Sequence, residues 1–380
     1  LKSIEATFRV VTPLFMAGSD QNQAEFRIPS LLGALRFWYR ATAPKNMQKD
    51  IAALRRAETA LFGSIGTGQA QFVVRMKSDR IVIGDPAKSE WVRNRYGISY
   101  LGFGPITYKG ILRKYIKEES EFKLGFIFRP IIEKPDIDGL KRAIWALSLF
   151  GGLGSRSRHG FGSIMLTSLK DEEGKEIWRS QQTREDLHIS IQEFITSIGS
   201  KDISGLSEYT AFTSSSRIIL SKTSQNMVNL IDNIGLEMIR YRSYGRRNRN
   251  GAHTLPDGEK AEQNFADDHD LLLSFDPNSR RHPRRVAFGL PHNYYFGSTQ
   301  LKVDVNGEMS DRRASPLFIH IHQVEKEHVA VLTYLPAKFL PDREFIKMVT
   351  NGQSFRTACN FDGQVITDFL KRIPDAVEVI

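Results

Sequence analysis

The 380-residue chain has a single cysteine, Cys359, so it can form no intramolecular disulfide and no cysteine-based metal cage. It has no run of about 18 apolar residues, which argues against a transmembrane helix. The opening Leu1-Lys2-Ser3-Ile4-Glu5 lacks the basic, apolar and small-residue segments of a secretory signal, and a cytoplasmic location is expected. There is no Gly-x-Ser-x-Gly elbow, and Cys359 has no activating neighbour in sequence. Negative charge is scarce in one half only. Residues 1–180 hold 29 Lys and Arg against 18 Asp and Glu, a balance of +11, whereas residues 181–380 hold 24 against 25, a balance of −1. The overall charge of +10 therefore lies in the first half, and a lopsided excess suits a polyanionic partner. A charge-rich surface of the kind used for thermostability is the blander explanation.

What is present is enough chain for two domains and, at 41% hydrophobic and 25% charged residues, an ordinary globular composition. Thr7–Val11 reads as a strand, closed by Pro13 and a loop from Ala17 to Arg27. Pro29 opens a helix whose Leu31, Leu35 and Trp38 fall at i, i+4 and i+7. A second helix is expected over 48–61, then strands at 72–76, 81–83, 98–101 and 122–128. Asp138 is a candidate cap for a helix with Leu140, Ile144 and Leu147 as its stripe, and Phe161–Leu166 returns as a strand. In the second half, helices are expected at 187–198, 226–244 and 357–372, with strands at 216–220, 285–290, 316–324 and 328–335. Gly245 to Asp270 reads as a mobile loop. The pattern implies an α+β fold of two tandem ferredoxin-like (RRM-like) domains with long insertions, at residues 1–180 and 181–380.

The strongest chemical signal is the loop from Gly151 to Gly162. Its glycines allow close backbone approach to phosphate and positive φ, while Arg156 and Arg158 add forked donors. Phe161, between Gly160 and Gly162, can stack on a base or pack inward. A nucleotide P-loop is excluded, because no Lys-Ser/Thr pair follows and the loop leaves a helix instead of entering one. A tight helix-to-strand turn with solvated arginines is the bland alternative.

The spacing Gly152-x-Gly154-x5-Gly160-x-Gly162 resembles the glycine loop of the RAMP superfamily of CRISPR proteins. Thr12–Gly18, Phe26–Arg40, Leu61–Ser64 and Arg312–Leu317 extend the resemblance, in order along the chain, to the first RAMP subunit of type III-B (Cmr) effector complexes. The resemblance implies a subunit at the end of a guide-RNA ribonucleoprotein. It would contact the 3′ region of the single-stranded guide and the target RNA beside other RAMP subunits, with no nuclease activity of its own. Separately, no cofactor and no membrane partner are expected.

The residues allow this reading independently. Arg36 and Arg40, four apart, are expected on the face opposite the apolar stripe with Gly33, and Arg27 precedes them. The run Arg240–Arg249, including Arg242, Arg246 and Arg247, alternates cations with Tyr241 and Tyr244, a mixture suited to single-stranded RNA. Arg312 and Arg313 precede a strand carrying His320 and His322, for which a sheet-face role outweighs zinc binding. Arg280–Arg285 is a further basic loop. The candidate RNA contacts are therefore Arg27, Arg36, Arg40, Gly152, Gly154, Arg156, Arg158, Gly160, Phe161, Gly162, Arg240, Arg242, Arg246, Arg247, Arg312 and Arg313.

Two readings compete with RNA binding alone. A metal-dependent endoribonuclease could use Asp20, in the loop where catalytic RAMP subunits carry an aspartate, or the Asp267-Asp268-His269-Asp270 run. A protein-only scaffold would use Trp91 and Tyr294-Tyr295-Phe296. Neither site has evident partner groups, so no catalytic or metal residue is assigned.

Overall fold

A computed structural model describes residues 2–130, 135–200, 203–274 and 279–380. The first unit contains β1 (Ser3–Val10), α1 (Ile28–Ala41), α2 (Ile51–Phe62), β2 (Phe72–Arg80), α3 (Tyr96–Leu101), β3 (Glu121–Phe128), α4 (Ile137–Phe150) and β4 (Ile164–Lys170). Its antiparallel sheet runs β2-β3-β1-β4. Strict alternation of buried and half-buried residues along β1 covers one face of this sheet, and Leu31, Leu35 and Trp38 dock α1 in the core. In α4 the stripe of Leu140, Ile144 and Leu147 is fully buried. Its N-cap is Asp136, which accepts from Gly139 N at 2.9 Å; Asp138 sits in the first turn instead of capping.

The remainder comprises α5 (Arg184–Ser197), β5 (Arg217–Leu220), α6 (Met227–Arg242), α7 (Ala266–Ser274), β6 (His292–Phe296), β7 (Leu301–Gly307), β8 (Leu317–Val324), β9 (Glu327–Tyr334), β10 (Phe345–Thr350), β11 (Gln353–Ala358), α8 (Gln364–Leu370) and β12 (Val377–Glu378). Here β8-β9-β5-β12 form a second antiparallel sheet. Taken in chain order, its four strands repeat the 2-3-1-4 arrangement of the first. A third sheet, β6-β7-β10-β11, is an addition that periodicity did not disclose. Its inward residues, among them Tyr294, Phe296, Val303 and Ile346, make a separate small core.

Several sequence expectations are corrected. Residues 98–101 lie in α3, not a strand, because a segment this short has no decisive period. Residues 285–290 do not form a strand; Arg284–Phe288 is a 3₁₀ turn between Pro283 and Gly289. The expected helix at 357–372 begins only at Gln364, and Gln353–Ala358 is strand β11. The segment 245–270 is structured: Arg246–Arg247 pair with His253–Thr254, and α7 begins at Ala266. Of the expected strand at 81–83, only Ile83 pairs, in the two-residue strand Ile83–Gly84.

The two sheet units are not separable bodies. Trp38 lies 5.4 Å from Phe318 by ring centroids, and Phe150 lies 5.2 Å from Phe212, within one continuous core. The Gly151–Gly162 loop completes the join. Ile319 N donates to Arg158 O and Gly160 N donates to Ile319 O, each at 2.9 Å, so the loop lies along β8. Since β8 is an edge strand, the loop covers backbone groups that would otherwise stand open.

Candidate nucleic-acid interface

The glycine loop is a fixed structural joint. Gly154, Gly160 and Gly162 have φ of 77°, 85° and 63°, the left-handed region that disfavours Cβ-bearing residues. A Cβ on Gly152 would lie 2.8 Å from Gly162 O, and one on Gly154 would overlap the Phe15 carbonyl. These glycines therefore serve close backbone packing: Leu153 N donates to Gly162 O at 2.8 Å and Gly162 N donates to Pro13 O at 2.9 Å. Phe161 is fully buried, 5.9 Å from Phe15, and presents no face to a base. Of its two readings from sequence, inward packing is the one observed.

The candidate arginines divide by electrostatic partner. Arg36 and Arg40 do not stand free on the outer face of α1. Both reach Glu58 of α2, at 3.3 and 2.7 Å, and Arg36 also donates to the Phe62 carbonyl at 2.8 Å. Arg240 is bound by both oxygens of Glu259 at 2.7 and 2.9 Å, with Glu237 and Asp257 within 4 Å. Arg27 sits 3.5 Å from Glu25. Each of these four cations thus has a carboxylate partner, although Arg36 and Arg40 share Glu58.

A second group is not. Among the described residues, Arg156, Arg158, Arg242 and Arg313 have no carboxylate partner within ion-pair distance. Arg158 donates to Ser315 O at 2.5 Å and stacks over Phe318 at 4.3 Å and Phe37 at 5.1 Å. Burial, with Arg313 as a like charge nearby, pulls its pKa down to about 10, which still leaves it cationic. Arg313 donates to Lys338 O at 3.1 Å. Arg242 lies over Phe288 at 4.4 Å and meets His292 Nε2 at 3.3 Å. Arg156 donates to Phe103 O at 2.5 Å. Between them lies His159, whose pKa falls to about 3 through burial and the charges of Arg156, Arg242 and Arg158. The result is a cationic seam along the junction of the two units. Arg246, Arg247 and Arg312 are exposed to solvent.

Arg156 also holds φ 63°, a conformation in which glycine is favoured over a β-carbon-bearing residue by about 1 kcal/mol. Among the described residues eight other non-glycine positions also hold positive φ, Arg343 at 67° among them.

The other sequence candidates resolve differently. Asp20 is exposed and accepts from Asn22 N at 2.9 Å, an ordinary turn contact. Asp268 is buried, accepting from the backbone N of Arg284 and Arg285 at 2.6 and 3.0 Å and pairing with the Arg285 side chain at 3.2 Å. His320 and His322 are completely buried: His320 Nδ1 lies 2.6 Å from Gly151 O, the two rings approach at 3.3 Å, and His322 Nε2 meets Gln181 Oε1 at 3.2 Å. Burial lowers their pKa values to about 4 and about 3. Among the described residues, no three His, Cys, Asp or Glu side chains gather as a metal site, and no helix is long and apolar enough to cross a membrane. Tyr294 and Phe296 are buried while Tyr295 is exposed, so the aromatic cluster does not form one docking face.

The loop that resembles the RAMP glycine loop thus returns from a helix into the first sheet and is sealed by a second unit of matching strand order. A model of the RAMP superfamily matches residues 7–165. CRISPR system Cmr subunit Cmr1-2 of Pyrococcus furiosus is 30% identical over 185 residues, covering 44% of this chain and 97% of that protein. Subunit Cmr1-1 of the same organism is 28% identical over 154 residues, 39% of this chain and 42% of that protein. The apo crystal structure of Cmr1 from Pyrococcus furiosus superposes with a TM-score of 0.59 at 16% identity, covering 100% of this chain and 99% of that one. A chain of the type III-B Cmr-beta complex bound to cognate target RNA gives 0.52 at 12% identity, with 98% of each chain covered. The chain belongs to the RAMP superfamily and, within it, to the Cmr1 subunits of type III-B CRISPR Cmr complexes.

Proposed function

We propose that the chain is a non-catalytic RNA-binding subunit of a CRISPR RNA-guided RNA-silencing complex. It contacts the 3′ region of the guide RNA, the target RNA, or both, beside other RAMP subunits. The observation that carries this reading is the cationic seam: Arg156, Arg158, Arg242 and Arg313 are partly desolvated and lack carboxylates. An RNA phosphate supplies the missing counter-charge. The exposed Arg246, Arg247 and Arg312 extend the positive surface. The glycines of the loop act by fixing this seam, with the phosphate contacts made by side chains. On this reading the chain is two tandem ferredoxin-like domains, 1–180 and 181–380, supported by the repeated strand order, with the third sheet as an insertion.

Electrophoretic shifts of the whole chain with single-stranded RNA over a salt series test the proposal. Affinity should fall steeply as salt rises; no binding at low salt would sink it. Incubation with labelled RNA and Mg²⁺ or Mn²⁺ tests the competing nuclease reading. Cleavage abolished by Asp20→Ala would replace the non-catalytic assignment.

A further inference from the structure

The hairpin between α3 and β3 places three large apolar side chains in solvent: Phe103 is 69% exposed, Tyr108 53% and Leu112 63%. They are not parts of an unclosed core. Ile106 and Ile111 of the same hairpin are buried, and its backbone is fixed by pairing of Ile106–Thr107 with Gly110–Ile111 and by Leu112 N donating to Pro105 O at 2.9 Å. The outward groups are therefore held in place on a formed scaffold.

Their surroundings are mainly basic. Residues 91–117 contain Arg93, Arg95, Lys109, Arg113, Lys114 and Lys117, and no Asp or Glu. Arg93 and Arg95 pair with Glu90 at 3.5 Å and Asp232 at 3.7 Å, while among the described residues Lys109, Arg113, Lys114 and Lys117 have no carboxylate within ion-pair distance. The Arg156 guanidinium lies 5.8 Å from the Phe103 ring centroid, and Lys109 Nζ lies 5.7 Å from that of Tyr108. Arg113 is held by Ser155 of the glycine loop and by Gln21 at 3.2 Å. The hairpin is thus tied directly to the cationic seam.

We propose that this hairpin is a stacking platform for unpaired bases of RNA, with Phe103 and Tyr108 as the stacking surfaces and the adjacent cations meeting the backbone. The proposal rests on the RNA-binding reading above and assigns the part of the ligand that the arginines do not: the bases. An apolar protein surface laid here would desolvate cations without compensating them, whereas a single strand offers π-faces and phosphates together. A duplex hides its faces by pairing, so the platform selects single strands.

The test uses the whole chain and two fluorescein-labelled probes, oligo(U) and an RNA duplex. The Phe103→Ala/Tyr108→Ala variant should bind oligo(U) about tenfold or more weakly, with an unchanged salt slope, because no phosphate contact is lost. Its melting temperature should match the wild type, since both rings are exposed, and Phe103→Trp/Tyr108→Phe should retain affinity. Wild-type oligo(U) binding that the double alanine variant leaves intact overturns the platform but not the RNA-binding reading; failure of the wild type to bind overturns both. Lost affinity with a flattened salt slope, or equal losses on the duplex, also overturns it. So does loss of association with purified Cmr subunits at unchanged RNA affinity, which would make the hairpin a protein dock.

Discussion

Gly97 and Gly235 touch backbone to backbone. A Cβ placed on Gly235 would overlap the carbonyl of Gly97, and one placed on Gly97 would overlap the carbonyl of Asp232. Asp232 Oδ1 also accepts from Ile98 N at 3.0 Å, so α3 of the first unit is seated on α6 of the second by close approach and a hydrogen bond. Gly235→Ala should therefore destabilise the chain by about 1–3 kcal/mol, since neither helix can give way without disturbing the other. Urea unfolding measures this. An unchanged midpoint would mean that the contact is looser than described.

Arg156→Gly should separate folding from binding. Glycine accepts φ 63° without strain, so fold stability should stay within about 1 kcal/mol of the wild type despite loss of the Phe103 carbonyl contact. RNA affinity should fall and the slope of log K against log salt should drop by about 1, as expected for one phosphate contact. Thermal melts paired with a salt series decide it; a variant that binds RNA like the wild type removes Arg156 from the interface.

The carboxylate-paired arginines should behave in the opposite way. Arg40→Ala leaves Glu58, only 10% exposed, with a weaker ion pair to Arg36 at 3.3 Å. Stability should fall by about 1–3 kcal/mol while the salt slope of RNA binding stays constant. A reduced slope in Arg40→Ala would return that residue to the RNA path.

Acid should weaken the fold through buried histidines. His320 and His322 titrate near 4 and 3 in the folded chain and near 6.5 when unfolded. Their folded values are lowered, so the unfolded state binds more protons throughout that window. Stability is therefore full above about pH 6.5 and declines as pH drops towards 4, by about 1.4 kcal/mol per pH unit for each histidine. Urea midpoints between pH 7.5 and 4.5 should show this slope, and His322→Leu should flatten it. Equal midpoints across the range would contradict the buried neutral pair.

What the sequence revealed and what it concealed have separate physical origins. Long periodic elements were legible: Leu31, Leu35 and Trp38 in α1, and Leu140, Ile144 and Leu147 in α4, each name a buried face by spacing alone. Short segments were not, because a four-residue stretch such as Ile98–Leu101 satisfies either period, and the partner that selects a helix, α6, lies well over a hundred residues away. The same distance hid the site. That Arg36 meets Glu58 while Arg158 meets only carbonyl oxygen and aromatic rings depends on tertiary contacts, yet both read as free cations in sequence. The absence of acids across 91–117 is visible in sequence, whereas the exposure of Phe103 and Tyr108 is set only by the folded hairpin.

The clasp between the glycine loop and β8 has a consequence for biogenesis. At about 5–20 residues per second, roughly 10–30 s separate synthesis of Gly160 from that of Ile319, which accepts its hydrogen bond. Throughout that interval the nascent first unit carries an unclasped loop, with Arg158 lacking its Ser315 acceptor and its Phe318 platform. Maturation of the positive seam therefore waits for the late strand, and an emerging chain cannot capture RNA in the finished geometry before its own second half is made.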